Sequence, residues 1–291
     1  MPIPTIDPTK NVREVRSDYY TGEITGYIYS GDSIRTKEQT DFYQKKLNQT
    51  EAQKDYGPFI WMLYNSQDGI LKNLTASTIT RLIYMATFLG YDGYLVHDNY
   101  KTLTKEQLKK KINVSNREFN YFWKEVTIDN KIIYEDNTRV FIDKNYFMKG
   151  ELSENIIKNN DIIRIAAKGV RSLYENVDTT RSHKSLSYLF KIIPFINKEW
   201  NIACKNVSEK ERDFIDCMPI SEFCNIVGYD KSKAKRLINT LSKITFNGEH
   251  ALVYVTMDFK INEAKIVMNP NLYWAGSNWE HVKYLSGWFS S

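Results

Sequence analysis

A repeated pattern of apolar residues constrains this chain more than any other feature of its sequence. Residues 103–126 and residues 218–241 carry apolar side chains at matching positions, with a constant offset of 115 residues. The matched pairs are Leu108/Phe223, Ile112/Val227, Val114/Tyr229, Phe119/Ala234, Phe122/Leu237 and Val126/Leu241. In each copy the spacing predicts a helix, a short turn and a second helix. This is the arrangement that places a helix in the major groove of DNA.

The length and composition indicate a globular protein of about two domains, at roughly 100–200 residues for each domain. Of the 291 residues, 42% are hydrophobic and 14% are aromatic, which is ample for packed cores. The net charge of +5 is a mild basic excess that suits a polyanionic partner. The sequence shows neither a signal-peptide pattern nor an uncharged apolar run of about 18 residues, so we expect a cytoplasmic protein without a membrane span.

The cysteines predict neither a disulfide framework nor a zinc site. Their number is odd, and Cys204, Cys217 and Cys224 show no closely spaced pair of the CxxC type. We expect them to be small buried side chains in reducing surroundings.

Each helix-turn-helix is preceded by a helical pattern, at 79–89 and at 185–195, and followed by two short strands. This order predicts a winged helix. We therefore predict an α+β fold that is predominantly helical, with tandem winged helix-turn-helix units and small β-hairpin wings. The predicted N-terminal part, 1–56, comprises a tail, a hairpin and a polar connector. A first winged-helix domain follows at 57–150, and a second one with a longer wing at 151–276. The chain is predicted to end in an aromatic C-terminal tail at 277–291.

The second helix of each repeat has one apolar face, so its other face should be open to solvent. In the first repeat Phe119, Phe122 and Trp123 should point inward, with Ser115 as the N-cap. In the second repeat the inward residues should be Ala234, Leu237, Ile238 and Leu241, with Asp230 as the N-cap. On the outward faces, arginine suits guanine, asparagine suits adenine and lysine suits phosphate. Arg139 and Lys260 lie near the two predicted wing tips and are added as candidate contacts. The predicted DNA-binding residues are therefore Ser115, Asn116, Arg117, Asn120, Tyr121, Lys124, Arg139, Lys231, Ser232, Lys233, Lys235, Arg236, Asn239 and Lys260.

Two further basic segments have two interpretations: they follow the DNA backbone, or they are ordinary solvated surface. Their residues are Lys105, Lys109, Lys110 and Lys111 in the first segment and Arg171, Arg181, His183 and Lys184 in the second.

Both repeats end in a similar element, Ile142-Asp-Lys-Asn-Tyr-Phe-Met-Lys-Gly150 and Met268-Asn-Pro-Asn-Leu-Tyr-Trp-Ala-Gly276. A helix-turn-helix, a short wing and this closing element resemble the RepL-type plasmid replication proteins of Gram-positive bacteria and related phage-encoded replication or regulatory proteins. The resemblance covers each repeat, at 59–150 and 162–276. The first copy departs from the family pattern at Lys144, where the family has proline, and two units in tandem depart from a single-unit protein. The resemblance implies the fold and a bacterial host cell, and it supplies no catalytic residues.

These observations predict a sequence-specific double-stranded DNA-binding protein of plasmid or phage origin, acting as a replication initiator or a transcriptional regulator. We expect no cofactor, no metal and no enzymatic activity, since the sequence lacks a P-loop and its four histidines are far apart. A homodimer, or a replication or transcription protein as partner, is compatible with this prediction. The alternative is a protein-interaction module, an adaptor or inhibitor, whose aromatic tail packs on the second repeat or on a partner. The tail aromatics are Trp274, Trp279, Tyr284, Trp288 and Phe289.

Overall fold

The computed structural model describes residues 9, 11–17, 24–30, 39, 40, 43, 47, 58–64, 73–159, 161–177, 179–255, 264–276 and 280–290. The chain forms two compact units, residues 1–47 and residues 48–291. In the first unit, strands β1 (Val12–Ser17) and β2 (Ile24–Tyr29) pair in an antiparallel hairpin, as predicted. Most of the predicted polar connector lies outside the described residues.

The first half of the larger unit contains the first predicted helix-turn-helix. Its elements are β3 (Phe59–Tyr64), α1 (Ala76–Ala86), α2 (Lys105–Ile112), α3 (Asn116–Lys124), a π-helical turn (Glu125–Asp129), β4 (Ile133–Asp136), β5 (Arg139–Ile142) and β6 (Phe147–Met148). Helix α2 begins with a capping box, in which Thr104 and Gln107 each accept the other's backbone N–H. It ends at Asn113 in the left-handed conformation, with φ of 51°. This reversal lets α3 begin after a turn of only three residues, 113–115.

The second half repeats the order of a helix, a helix-turn-helix and hairpins. Its elements are α4 (Glu154–Asn159), β7 (Asp161–Ala166), α5 (Ala167–Glu175), α6 (Thr180–Ile192), α7 (Ile220–Val227), α8 (Ala234–Leu241), β8 (Thr245–Phe246), β9 (Glu249–His250), β10 (Leu252–Val255), β11 (Lys265–Met268) and α9 (Glu280–Lys283). Short 3-10 turns occur at Ile193–Phe195, Arg212–Phe214, Lys231–Lys233 and Tyr284–Trp288. Gly228 ends α7 in the left-handed conformation, with φ of 69°, which glycine adopts without strain.

The two halves share one sheet and one core. Strand β3 lies between β6 of its own half and β7 of the second half, antiparallel to both. Helix α1 packs along α6, and Tyr84 of α1 stacks on Tyr174 of α5 with 3.9 Å between ring centroids. Buried apolar side chains from both halves form one continuous cluster. Both predicted winged-helix domains therefore lie in one compact unit.

The closing element of the second half, residues 268–276, is held by hydrogen bonds from two buried side chains. The buried Asn201 side chain donates hydrogen bonds to the carbonyl oxygens of Met268 at 3.1 Å and Tyr273 at 2.6 Å. The buried Arg164 of β7 donates from Nε to the carbonyl oxygen of Trp274 at 2.7 Å. The element therefore ties β11 to the shared sheet, which is a structural role.

The predicted α+β class is confirmed, with small antiparallel sheets among the helices. The helix predicted at 185–195 begins earlier, at Thr180, because the Thr179 hydroxyl accepts the backbone N–H of Ser182 and caps the helix there. The C-terminal aromatic residues divide into two groups. Trp274 and Phe289 are buried within the second unit, whereas Tyr284 and Trp288 are exposed. Trp279 lies outside the described residues.

Candidate nucleic-acid interface

Helix α3 presents the first set of predicted DNA-binding residues. Its apolar face is buried as predicted, with Phe119, Phe122 and Trp123 at most 6% exposed. The Ser115 hydroxyl accepts the backbone N–H of Glu118 at 3.3 Å, so Ser115 is the N-cap that the sequence predicted. The opposite side of the helix is open to solvent and displays Asn116, Arg117, Asn120, Tyr121 and Lys124.

Two of these exposed residues contact each other. The guanidinium carbon of Arg117 lies 5.6 Å from the ring centroid of Tyr121, one helical turn further along. Contact with the aromatic face restricts the guanidinium without using its N–H groups, which stay available to an acceptor.

A hydrogen-bonded carboxylate fixes α3 against the β4–β5 hairpin. Glu135 of β4 accepts from Trp123 Nε1 at 2.9 Å and from Lys105 Nζ at 3.0 Å. Lys105 also lies over the Trp123 ring, 4.8 Å from its centroid. Burial raises the pKa of Glu135, but the hydrogen bonds from Lys105 and Trp123 outweigh it and leave the pKa below its ordinary value. The ionised carboxylate therefore joins α2, α3 and β4.

Glu118 connects α3 to the second half of the unit. Its Oε1 accepts a hydrogen bond from the Thr180 hydroxyl at the start of α6. The same oxygen lies 3.6 Å from Nη2 of the buried Arg81 on α1. The Thr180 hydrogen bond, assisted by the Arg81 charge, lowers the pKa of Glu118. The orientation of α3 is therefore set by contacts with both halves.

The second set of predicted residues lies on the 3-10 turn 231–233 and on α8. Asp230 Oδ1 accepts the backbone N–H of Ser232 at 3.0 Å, which confirms Asp230 as the cap. Three of the predicted inward residues, Leu237, Ile238 and Leu241, are buried. The fourth, Ala234, is half-buried against the core. The exposed residues are Lys231, Ser232, Lys233, Lys235, Arg236 and Asn239, as predicted.

The cationic side of α8 lines a groove of about 820 Å³ that α5 and α6 close on the opposite side. Four of its fifteen lining residues are cationic: Lys233, Lys235, Arg236 and Lys243. None of the residues that line it is acidic, and seven are neutral and polar. Lys233 is partly neutralised by Asp230, whose carboxylate lies 3.4 Å from its Nζ. Positive charge beside neutral hydrogen-bonding groups suits a phosphate backbone.

Sequence reasoning missed the far side of this groove. Asn176 after α5, together with Ser182 and Ser185 on α6, lines it opposite α8. Lys243 extends the cationic row beyond the helix. Lys243 follows Arg236 by seven residues, so continuing the helical period past Leu241 would have included it. The α5 and α6 residues reach the groove through tertiary packing, which has no local signal.

The predicted wing residues have different outcomes. Arg139 lies beside the tip of the β4–β5 hairpin and is 45% exposed, as a DNA contact would require. Its Nη2 pairs with Asp136 Oδ2 at 2.5 Å, and its guanidinium lies 4.4 Å from the ring centroid of Tyr94. The ion pair reduces the charge that Arg139 offers to phosphate. Lys260, which the sequence predicts near the second wing tip, lies outside the described residues.

Part of the second basic segment belongs to the interior. Arg171 is half-buried and donates from Nη1 to Asp98 Oδ1 at 2.9 Å, which joins the two halves. His183 is only 1% exposed. The expectation that His183 lies on the surface is therefore wrong, because its ring stacks on Tyr174 and its carbonyl oxygen accepts a hydrogen bond from Thr80 in the first half. Arg181 and Lys184 are exposed, as expected.

Within the described ranges, no three His, Cys, Asp or Glu side chains lie close enough together to hold a metal ion. Of the helices that the structure describes, none has both the length and the apolar character of a membrane span. No protein-family model matches this chain, and neither a curated protein nor a solved structure matches it. The resemblance to RepL-type proteins therefore stays a prediction from the sequence.

Proposed function

We propose that this chain is a sequence-specific double-stranded DNA-binding protein built from two winged helix-turn-helix units, of plasmid or phage origin. In this proposal it acts as a replication initiator or a transcriptional regulator. One observation carries the proposal: the second helix of each helix-turn-helix buries its apolar side and leaves a cationic and polar side open to solvent. That combination supplies cations for phosphates and arginine or asparagine for base edges.

The two exposed faces differ in chemistry, so we assign them different tasks. The α3 face carries Arg117 with Asn116 and Asn120, which are residue types that recognise guanine and adenine edges. The α8 face carries Lys235 and Arg236 in a cationic groove, which favours contact with the sugar–phosphate backbone. On this assignment α3 contributes more of the specificity and α8 more of the salt-dependent affinity.

The test begins with selection of bound sequences from random double-stranded DNA by the full chain. Fluorescence anisotropy on the selected site then compares the wild type with Arg117→Ala and with the double variant Lys235→Ala, Arg236→Ala. We expect the removal of a base-reading side chain to cost about 1–3 kcal/mol of binding free energy. For the double variant, the slope of log affinity against log salt should fall by about 0.9 for each phosphate that the protein no longer neutralises.

A matched control removes the same charge elsewhere. Lys198 and Lys265 are exposed and do not line the groove, so Lys198→Ala with Lys265→Ala should leave the affinity and the salt slope close to the wild type. Arg117→Lys separates charge from shape, because lysine cannot make the two parallel hydrogen bonds of a guanidinium. Undiminished affinity in both Arg117→Ala and the α8 double variant would refute the assignment of these helices.

A second candidate function is a protein-interaction module, an adaptor or inhibitor. The observation that favours it is that Tyr284 and Trp288 are 45% and 44% exposed, in a tail whose Val282, Leu285 and Phe289 are buried. Deleting the tail would also remove the buried Phe289, so the sharper variant is Tyr284→Ser with Trp288→Ser. Loss of an assembly on size-exclusion chromatography, with DNA binding unchanged, would favour this function. An unchanged elution profile would count against it.

A further inference from the structure

Two cysteines face each other across a short antiparallel bridge, and neither of them lines the cationic groove. Cys204 and Cys217 are directly opposite each other in this bridge. The residues that flank them exchange backbone hydrogen bonds, each of 2.9 Å, from Met218 to Ala203 and from Lys205 to Asp216. The hydrogen bonds lie on either side of the cysteines and do not join them. Cys204 and Cys217 therefore form a non-hydrogen-bonded pair of the antiparallel ladder.

This position suits a disulfide bond. Residues of a non-hydrogen-bonded pair have Cα atoms about 4.5 Å apart, and disulfides span Cα separations of about 4.4–6.8 Å. Directly opposite residues also project their side chains to the same face of the ladder. The two sulfurs can therefore bond without a change in the backbone, although both thiols are free in this structure.

The two thiols differ in access. Cys204 is buried, and its burial raises the pKa of the thiol to about 11. Cys217 is half-buried, so an oxidant from solvent meets Cys217 first. Cys224, the third cysteine, is buried on α7.

We infer that Cys204 and Cys217 are a disulfide-forming pair whose oxidant is hydrogen peroxide or a related small peroxide. The Cys217 thiolate attacks one peroxide oxygen, the O–O bond breaks, and Cys217 becomes a sulfenic acid while the departing hydroxide takes up a proton. The Cys204 sulfur then attacks the Cys217 sulfur, the S–O bond breaks, and water leaves with the Cys204 proton. Two thiols and one hydrogen peroxide thus give one disulfide and two waters, with the sulfurs oxidised and the peroxide reduced.

The bond would enclose residues 205–216, which contain the exposed turn Arg212–Phe214 and lead into α7. Lys205, at one end of this loop, already pairs with Asp216 at 3.8 Å and with Glu222 of α7 at 3.5 Å. Oxidation would therefore fix the entry into the second helix-turn-helix, and it does not use any residue of the proposed DNA-binding surface.

The test uses the full chain, freed of reductant, treated with hydrogen peroxide, alkylated and digested with trypsin. Trypsin cleaves after Lys198, Lys205, Arg212 and Lys231. We expect peptide 199–205 joined to peptide 213–231, with Cys224 alkylated and with two hydrogen atoms fewer than the sum of the two peptides in which Cys204 and Cys217 are free thiols. Because Cys217 and Cys224 share a tryptic peptide, Cys224→Ser is the matched control and should keep the link. Cys217→Ser should abolish it.

Three results would overturn the inference. The first is a link that persists in Cys217→Ser. The second is wild-type Cys217 oxidised to sulfinic acid while Cys204 is still alkylated. The third is a peroxide-dependent dimer through Cys217 without the internal link. Circular dichroism of each variant checks its fold, and the wild-type peptide measurement requires no substitution at all.

Discussion

A methyl group at Gly169 tests how closely helix α5 packs on the closing element of the second half. A Cβ atom at this position would lie 2.6 Å from the carbonyl oxygen of Asn271 and 3.3 Å from Cα of Leu272. Both atoms belong to the backbone, so no side-chain rotation relieves the contact. Either α5 or the turn at 269–272 has to move in the variant Gly169→Ala.

The size of the effect follows from two opposing contributions. Alanine in place of glycine favours a helix by about 0.8–1.0 kcal/mol. Overpacking of a buried site costs about 1–3 kcal/mol, and a clash with backbone belongs at the upper end of that range. Movement of the turn would also weaken the hydrogen bond from Ala166 N–H to Leu272 O, which is 3.3 Å long, at a cost of up to about 1 kcal/mol. We therefore expect Gly169→Ala to lower the free energy of unfolding by about 2–3 kcal/mol.

The assay is urea denaturation followed by circular dichroism, with the midpoint and the slope m both fitted. The matched control is Gly287→Ala in the 3-10 turn Tyr284–Trp288, where an added Cβ meets no atom within 4 Å. This control should stay within about 0.5 kcal/mol of the wild type. A Gly169→Ala protein as stable as the control would show that α5 does not pack directly on the backbone of the closing element.

Three further predictions concern single side chains. The pKa of Glu118 is below its ordinary 4.5 in the folded chain, so its ionised form contributes stability above pH 4.5 that is lost as pH falls through the folded pKa. Below pH 4.5, Glu118→Gln should therefore lose less stability than the wild type in thermal melts. An acid decline as steep as that of the wild type would contradict this. Ser115→Ala removes the α3 cap and should cost about 1 kcal/mol in urea denaturation, with Ser115→Asp as the variant that retains the cap. Asn201→Ala removes two buried hydrogen bonds at a position with φ of 55° and should lower the free energy of unfolding by about 2–4 kcal/mol. A loss smaller than that of Ser115→Ala would show that these hydrogen bonds contribute little.

The elements that the sequence predicts correctly are those specified by local patterns. The apolar spacing of Phe119, Phe122 and Trp123 defines one buried face of α3, and Ser115 and Asp230 are caps that a sequence shows directly. The β4–β5 hairpin, with its tip at residues 137–138, is predicted from the same kind of local signal. Each of these features depends on residues only a few positions apart.

The pairing of β3 with β7 depends on contacts between distant residues. Phe59 pairs with Ala166 and Tyr64 with Asp161. A short apolar run such as 59–63 suits a strand or a buried helix equally, and nothing local names its partner. The groove beside α8 is hidden from the sequence for the same reason, because α5 and α6 form its opposite side. Local periodicity therefore predicts the α8 side of the groove, whereas the α5 and α6 side depends on tertiary packing.

The joining of the halves restricts the DNA that the proposed function requires. The halves are connected by the β3–β7 pairing and by the packing of α1 on α6, within one compact unit. Glu118 of α3 is bonded to Thr180 on α6, and the same helix lines the α8 groove through Ser182 and Ser185. Both candidate recognition helices are therefore held against α6, which fixes the distance and angle between them.

A fixed geometry makes a prediction that a flexible tether would not. In the proposed complex α3 and α8 each contact one part of the selected site, which we call a half-site. Inserting about 5 base pairs between the two half-sites, half of a turn of about 10–10.5 base pairs, places one half-site on the opposite side of the duplex. The sequence-specific contacts of one helix are then lost, and the affinity should fall toward that of a complex held by the other helix alone. Inserting a full turn restores the side but not the distance, so a rigid protein should not recover, whereas a flexibly linked one should. Anisotropy on the three spacings measures this directly. Affinity that does not depend on spacing would mean that α3 and α8 do not engage one duplex together.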